Sequence, residues 1–281
     1  MMAAFDAAPW GTHLPNRYER AVLTLTRAMP ENWLGRRLAI LFRRLIMGRI
    51  GEGCRDTVLW DMRLRLYPRR NGCEKNALFT PQMFDTMERR VLADAVRRKG
   101  GAFTFVDIGA NVGLYSLYLA SCGDVRTLAI EPQPGILERL RFHLALNPSA
   151  KIDVRPVALS DREGEVTLVL NDSDSGGTHI DKQDGRHDPG ERISVPTKPL
   201  LAVLSDAGIT AIDALKIDVE GAEDIVLAPF LRDAPAALLP RLVLIEDTRG
   251  FWSLDLFALL AGRGYTEAER SRQNVALRLG A

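Results

Sequence analysis

Residues 103–116, FTFVDIGANVGLYS, place an acid, an amide and two glycines within one short stretch. Phe103-Thr104-Phe105-Val106 is a β-type run, Asp107 to Gly113 is a turn, and Leu114-Tyr115-Ser116 opens a helix. A strand that turns on glycine into a helix N-terminus is a ligand pocket in many α/β folds. A dinucleotide pattern G-x-G-x-x-G from Gly109 would need glycine at 111 and 114, where Asn111 and Leu114 stand. The phosphate loop G-x-x-x-x-G-K-[ST] is also absent. Asp107 would repel a pyrophosphate and attract an ammonium or sulfonium. Gly109 and Gly113 would let the backbone approach a ligand closely, and the helix N-terminus could receive a carboxylate. S-adenosylmethionine combines these charges. The plain alternative is a strand-turn-helix whose glycines serve only the turn.

Asp107, Glu131, Asp161, Asp218 and Glu246 all fall at or just past the end of an expected strand. Strand ends in a parallel sheet share one edge, so these acids should converge. Glu131 follows Gly113 by 18 residues, about the spacing of an acid that binds a ribose diol. For a proton-accepting role the candidates are Asp218, Glu220, Glu246 and His179. Asp218 reads equally well as a helix N-cap, and Glu220 and Glu223 as first-turn acids favoured by the helix dipole. Asp218, Glu246 and Asp247 together could hold Mg²⁺, but a metal-free site is the favoured reading. His179 and His187 sit in a polar loop and read more readily as solvated than as a lid over an acceptor.

The elements that must position these groups follow from periodicity. Helices are expected over about 17–30 and 31–50. In the second, Leu34, Leu38, Leu41 and Leu45 share one face, and Arg36, Arg37, Arg43 and Arg44 gather on another. That helix is expected to pack on the body with its arginines solvated, the alternative being an anionic membrane surface or acidic partner. Residues 1–15 read as a loose arm and 57–67 as one strand. A helix runs from a Thr80 N-cap with Pro81 at its first position to Arg98. Beyond it, strands and helices alternate: strands at 126–130, 152–157, 212–217 and 241–245, and helices at 134–146, 220–227 and 251–262. An antiparallel pair is expected at 165–170 and 192–197, separated by about 21 nearly all-polar residues, and another at 265–267 and 275–279. A domain boundary is placed after residue 78, dividing a basic helical and β extension (1–78) from an α/β domain (79–281).

Composition narrows the class. Net charge is +1, which gives no global nucleic-acid signal. Residues 1–75 carry 14 basic against 7 acidic side chains, which would suit an anionic partner or the acidic remainder of the chain. Three cysteines without metal-type spacing suggest a reducing, cytoplasmic setting. Neither a signal peptide nor a membrane-spanning run is read.

FVDIGANVGLYS, AIEPQP, PVALSDREG, IDALKIDVEGAED and LVLIED together resemble the FkbM family of S-adenosylmethionine-dependent methyltransferases over about residues 55–279. LKIDVEGAE and DIGANVG are the most family-specific blocks. The resemblance implies a doubly wound, Rossmann-like class I methyltransferase sheet, mostly parallel with an antiparallel C-terminal strand. It implies that Asp107, Gly109, Asn111 and Gly113, with Tyr115 and Ser116 of the following helix, surround the methionine part of the cofactor. Glu131, followed by Pro132, would bind the ribose, and Ala158, Leu159 and Asp161 would border the adenine. O-methylation of a sugar, polyketide-type or other small-metabolite hydroxyl is expected by the same resemblance. Where the family commonly has Thr-Leu-Asp, this chain has Thr197-Lys198-Pro199-Leu200, near where an acceptor would enter. The competing readings are a nicotinamide-dependent oxidoreductase, against which the glycine spacing and Asp107 count, and a non-catalytic cofactor-binding module.

Overall fold

The computed structural model describes residues 5–50, 53–171 and 190–280, together with the backbone of 179–180. In chain order the elements are α1 (Arg17–Arg27), α2 (Trp33–Ile50), β1 (Arg55–Leu59), β2 (Met62–Leu66), α3 (Gly72–Phe79), α4 (Thr86–Lys99), β3 (Phe103–Ile108), α5 (Leu114–Cys122), β4 (Val125–Ile130), α6 (Pro134–Leu146) and β5 (Lys151–Arg155). There follow β6 (Ala158–Leu159), β7 (Gly164–Leu170), β8 (His179–Ile180), β9 (Glu191–Lys198), α7 (Leu200–Asp206), β10 (Ala214–Ile217), α8 (Glu223–Asp233), β11 (Leu242–Glu246), α9 (Leu256–Gly262), β12 (Tyr265–Arg270) and β13 (Asn274–Leu279).

Seven strands form the central sheet in the order β5-β4-β3-β10-β11-β13-β12. The first five are parallel, and β13 is antiparallel to both of its neighbours. The order reverses between β3 and β10, and at such a switch point the loops diverge and leave a crevice. The expected doubly wound sheet with an antiparallel C-terminal edge is therefore present. A second sheet, β6-β9-β7-β8, contains the expected β7–β9 pair and flanks the first.

Several local expectations change. Residues 57–67 form a hairpin, because Trp60 and Asp61 both take positive φ (54° and 61°), the backbone of a tight two-residue turn. Thr80 does not cap α4; it closes α3, a helix the sequence reading had left out, and Asp85 in a left-handed conformation precedes α4. Asn71 caps α3 by accepting from the Glu74 amide at 3.1 Å. Pro229 lies inside α8, where burial of Val226, Leu227, Phe230 and Leu231 outweighs the missing backbone bond. Residues 249–251 form a short 3-10 turn, and the α-helix begins only after Asp255, whose side chain accepts from the Ala258 amide.

Helix α2 packs the other way round from expectation. It buries Gly35, Ala39, Ile46 and Ile50, while Leu34, Leu41 and Leu45 face solvent. Ile46 and Ile50 on this face join the apolar cluster of the extension, and at the start of the helix a Cβ on Gly35 would lie 2.0 Å from the carbonyl oxygen of the preceding Pro30, so only glycine allows that local turn. Among the described residues no helix is long and apolar enough to cross a membrane.

The described part of the N-terminal arm is held rather than loose. Arg65, fully buried, pairs with buried Asp56 through Nε–Oδ1 at 2.7 Å and Nη2–Oδ2 at 3.0 Å. Its remaining N–H groups donate to the carbonyls of Asp6, Ala8 and Pro9, while Asp56 accepts from the amides of Gly11 and His13. One apolar cluster then joins the extension to the sheet domain, with Ile46, Leu64, Leu66, Phe79 and Phe84 packed against Val112, Leu114, Leu117 and Ile136. The expected boundary after residue 78 falls within α3.

His143 on α6 ties the hairpin to the glycine turn. Its Nδ1–H donates to the Val112 carbonyl at 2.8 Å, and Nε2 accepts from the Arg65 amide at 3.0 Å. Burial pushes its pKa down to about 4, so the folded ring is neutral. Between the unfolded value near 6.5 and about 4, only the unfolded chain takes up this proton. This contribution to stability is whole above the unfolded value and is lost as pH falls through that window, by about 3 kcal/mol in all. Urea unfolding from pH 7 to 4 should therefore show a steeper loss for wild type than for His143→Gln, and equal slopes would remove this account. Asp56→Ala leaves the Arg65 guanidinium buried without its counter-charge. It should lower unfolding stability by about 3–5 kcal/mol, and a loss under about 1 kcal/mol would contradict the pairing argument.

Candidate active site

The parallel register builds the site. Ile130, Ile108, Ile217 and Ile245 stand in one row across β4, β3, β10 and β11. The next residues are Glu131, Gly109, Asp218 and Glu246, so one step along each strand brings three acids and a glycine to one edge. All four line a cavity of about 480 Å³, of the size that takes a cofactor-sized molecule.

Gly109 turns away from β3 at φ 72°, and its amide and that of Ala110 donate to the Ile130 carbonyl. A Cβ at this position would lie 1.9 Å from the Asp218 carbonyl oxygen, so two loops meet backbone to backbone here. Gly113, at φ 83°, precedes α5 where a Cβ would meet Leu140 Cδ1 at 2.5 Å. Asn111 sits between them at φ 51°; its Oδ1 accepts from the Val112 amide at 2.9 Å and from Asn71 Nδ2 at 3.1 Å. Both oxygens of Glu131 are oriented by backbone, accepting from the Asn111 amide at 2.9 Å and the Gln133 amide at 3.0 Å. Burial outweighs these bonds and raises the Glu131 pKa to about 7.

One row back, Asp107 of β3 lies beside Lys216 of β10. Asp107 is fully buried beneath the cavity wall, accepting from Ser116 Oγ at 2.6 Å. Its other oxygen has no hydrogen-bond partner and lies 4.0 Å from Lys216 Nζ. Burial raises its pKa against the opposing pull of that ammonium and Ser116. Lys216 does line the cavity, reaching Asp218 Oδ2 at 3.3 Å, with its ammonium over the Tyr115 ring at 5.1 Å. Burial opposes its charge, but Asp218 and Asp107 overcome this and keep it protonated. The sequence reading passed over Lys216. Its signal was a lone cation in the otherwise apolar run ALKI, two residues before Asp218.

Glu246 faces Asp218 across the cavity floor. Burial first, and then the nearby charges of Asp218 and Glu220, raise its pKa to about 9, so Glu246 carries its proton at neutral pH. Asp218 is not a helix cap: α8 begins five residues later at Glu223. Glu223 instead staples the intervening loop. Its Oε1 accepts from the amides of Val219 and Gly221, and its Oε2 from Thr248 Oγ1 and Trp252 Nε1. That loop presents Glu220 to the cavity at φ 55°.

Tyr115, Pro132, Ala158 and Leu159, expected from the sequence to border the cofactor, line the cavity. Gly113, Ser116 and Asp161 do not form its wall; Asp161 is exposed and accepts from Ser160 Oγ. Asp247 is turned away from Asp218 and Glu246 into salt bridges with Arg249 and Arg270, so the three-carboxylate metal arrangement is not assembled. His179 lies on β8, but its side chain, and all of His187, fall outside the described residues. Sequence reasoning also missed the wall supplied by the extension, where Asn76 of α3 and Phe84 and Asp85 before α4 line the cavity. Tyr115 donates its hydroxyl to Asp85 at 2.8 Å, and burial raises the Asp85 pKa. Gln273 and Asn274 complete the opposite side.

Comparison with known proteins places this geometry. The methyltransferase FkbM domain matches residues 107–266, more than half of the 281-residue chain. The chain is 28% identical over 207 residues to methyltransferase sdnD of Sordaria araneosa, covering 56% of this chain and 80% of that protein. It is 29% identical over 208 residues to the 31-O-demethyl-FK506 methyltransferase FkbM of Streptomyces tacrolimicus, covering 64% and 78%. A solved structure of precorrin-6y C5,15-methyltransferase from Geobacter metallireducens superposes with a TM-score of 0.40 at 13% identity, covering 69% of this chain and 88% of that one. With the family's domain spanning the strand-end acids of β3, β4, β10 and β11, the chain belongs to the FkbM methyltransferase family.

Proposed function

We propose that this protein is an S-adenosylmethionine-dependent O-methyltransferase acting on a hydroxyl of a polar small-molecule or glycan acceptor. The observation that carries this reading is the row Glu131, Gly109, Asp218, Glu246 around one cavity. The residues present fit the cofactor. Each Glu131 oxygen keeps a lone pair after its one backbone bond, and the pair is suited to two neighbouring ribose hydroxyls. Ile130, Ile136, Val157 and Leu159 form an apolar wall suited to a flat base. Gly109 leaves the backbone open to close approach, and the acidic floor suits a cationic group. S-adenosylmethionine supplies an electrophilic methyl group on a positively charged sulfur.

The protein's own contribution is positioning and proton management. Methyl transfer is a one-step displacement, so holding the acceptor oxygen in line provides much of the rate. The hydroxyl must lose its proton as it attacks, and Asp218 and Glu246 are the pair placed to accept it. Lys216 holds Asp218 in place. The amide side chains of Asn76, Gln273 and Asn274 offer donors and acceptors to a polyhydroxylated acceptor. A relative named for a 31-O-demethyl substrate supports oxygen as the methylated atom.

S-adenosylhomocysteine should bind and raise the melting temperature, whereas NADH should do neither; no S-adenosylhomocysteine binding would overturn the proposal. Because ribose hydroxyls favour the Glu131 carboxylate, wild-type affinity should fall roughly tenfold per pH unit below about 7. Glu131→Gln should bind more weakly and without this pH dependence. Turnover should climb toward pH 9 as Glu246 gives up its proton. Glu246→Gln cannot ionise, so it should be slower and flat between pH 7 and 10; a profile like that of wild type would exclude Glu246 from the base.

A further inference from the structure

A second cavity, of about 260 Å³, lies between α2 and the α3–α4 connection. It shares three wall residues, Asn76, Phe84 and Asp85, with the methyl-transfer cavity, so the two adjoin. Its outer wall carries Arg36 and Arg43. They stand seven residues apart on α2, nearly in line along the helix and about 10 Å apart along its axis. Helix α2 holds five arginines and no acidic residue. Among the described residues no carboxylate lies within ion-pair distance of Arg36 or Arg43; Arg43 Nη1 donates only to the neutral amide oxygen of Asn76 at 3.1 Å.

We propose that this groove is an anion subsite in which Arg36 and Arg43 hold a phosphate-class group of the methyl acceptor. Arg36 is exposed and Arg43 half-buried, and the cost of a half-buried guanidinium with no counter-charge is relieved when a ligand brings the charge. Burial lowers the Arg43 pKa, with adjacent Arg44 acting in the same direction. Guanidinium forks match the several oxygens of a phosphate better than those of one carboxylate. Asp85, at the junction, disfavours passage of the anion toward the acidic floor. The acceptor is therefore oriented: its anion stays against α2 while its hydroxyl reaches Asp218 and Glu246. This inference rests on the methyltransferase reading of the main cavity and adds the charge of the substrate.

The test is calorimetric titration of the full chain with inorganic pyrophosphate, in wild type, Arg36→Gln, Arg43→Gln and the double variant. Wild type should bind one pyrophosphate, each single variant should bind about tenfold more weakly, and the double variant should show no binding. S-adenosylhomocysteine affinity should stay within about twofold throughout, which also shows that the variants are folded. Absence of pyrophosphate binding by wild type, or equal binding by the double variant (an adventitious ion only), would overturn the subsite. Failure of wild type to bind S-adenosylhomocysteine would instead overturn the reading of the main cavity. Cosedimentation with phosphatidylglycerol but not phosphatidylcholine vesicles, lost in the double variant, would identify the anion as a lipid headgroup. Pyrophosphate binding without cosedimentation would identify it as part of a soluble acceptor.

Discussion

Four carboxyls converge at the β3–β4–β10–β11 edge, and the site depends on how their charge is tolerated away from water. An isolated buried carboxylate is expensive, and two side by side are more so. The structure meets this in three different ways. Lys216 sits between Asp107 and Asp218 and offsets both. Glu131 is held by two backbone amides yet lies near its titration point. Glu246, buried and beside the charges of Asp218 and Glu220, takes up a proton. Removing Lys216 would leave two carboxylates facing each other's field, so this lysine is part of the site even though it is no candidate for accepting the substrate's proton.

Backbone geometry sets the second constraint. The Asp218 carbonyl occupies the space a side chain at residue 109 would need, so the β3 and β10 loops are placed by contact between main chains. Glu223 then fixes the far side of the β10 loop, with amides on one oxygen and Thr248 and Trp252 on the other. The position of Asp218 is thus determined from both directions, while its carboxylate remains open to the cavity. Precision of this kind favours in-line displacement, where small misplacements are costly.

The strand-end acids were legible because each follows an apolar run, and parallel strands in register bring such residues together. Lys216 was not legible, since a strand buried on both faces reads as uniformly apolar and one cation within it looks like an exception. The α2 face was misread because leucine periodicity normally marks the buried side. Here the buried face is instead that of Gly35, Ala39, Ile46 and Ile50, and its two isoleucines join the apolar cluster. The 57–67 segment read as one strand because Trp60 and Asp61 do not announce a turn, and no glycine or proline marks their positive φ. Arg65 and Asp56 looked like ordinary strand polar residues; their burial becomes apparent only once the N-terminal carbonyls wrap around the guanidinium.

The arrangement of the N-terminal segment bears most on the acceptor. Residues before β3 share an apolar cluster with the glycine turn and α6, and they supply Asn76, Phe84 and Asp85 to the cavity wall. The cofactor-facing edge comes from the sheet, which any member of this fold must preserve. The opposite wall comes from α3 and the α3–α4 connection, held in place by α2 and the hairpin. Under the proposed function, changes there would alter which hydroxyl is presented without disturbing Glu131 or Gly109. On that proposal, acceptor choice falls to the segment whose basic charge distinguishes it from the rest of the chain, and the sheet domain supplies the chemistry.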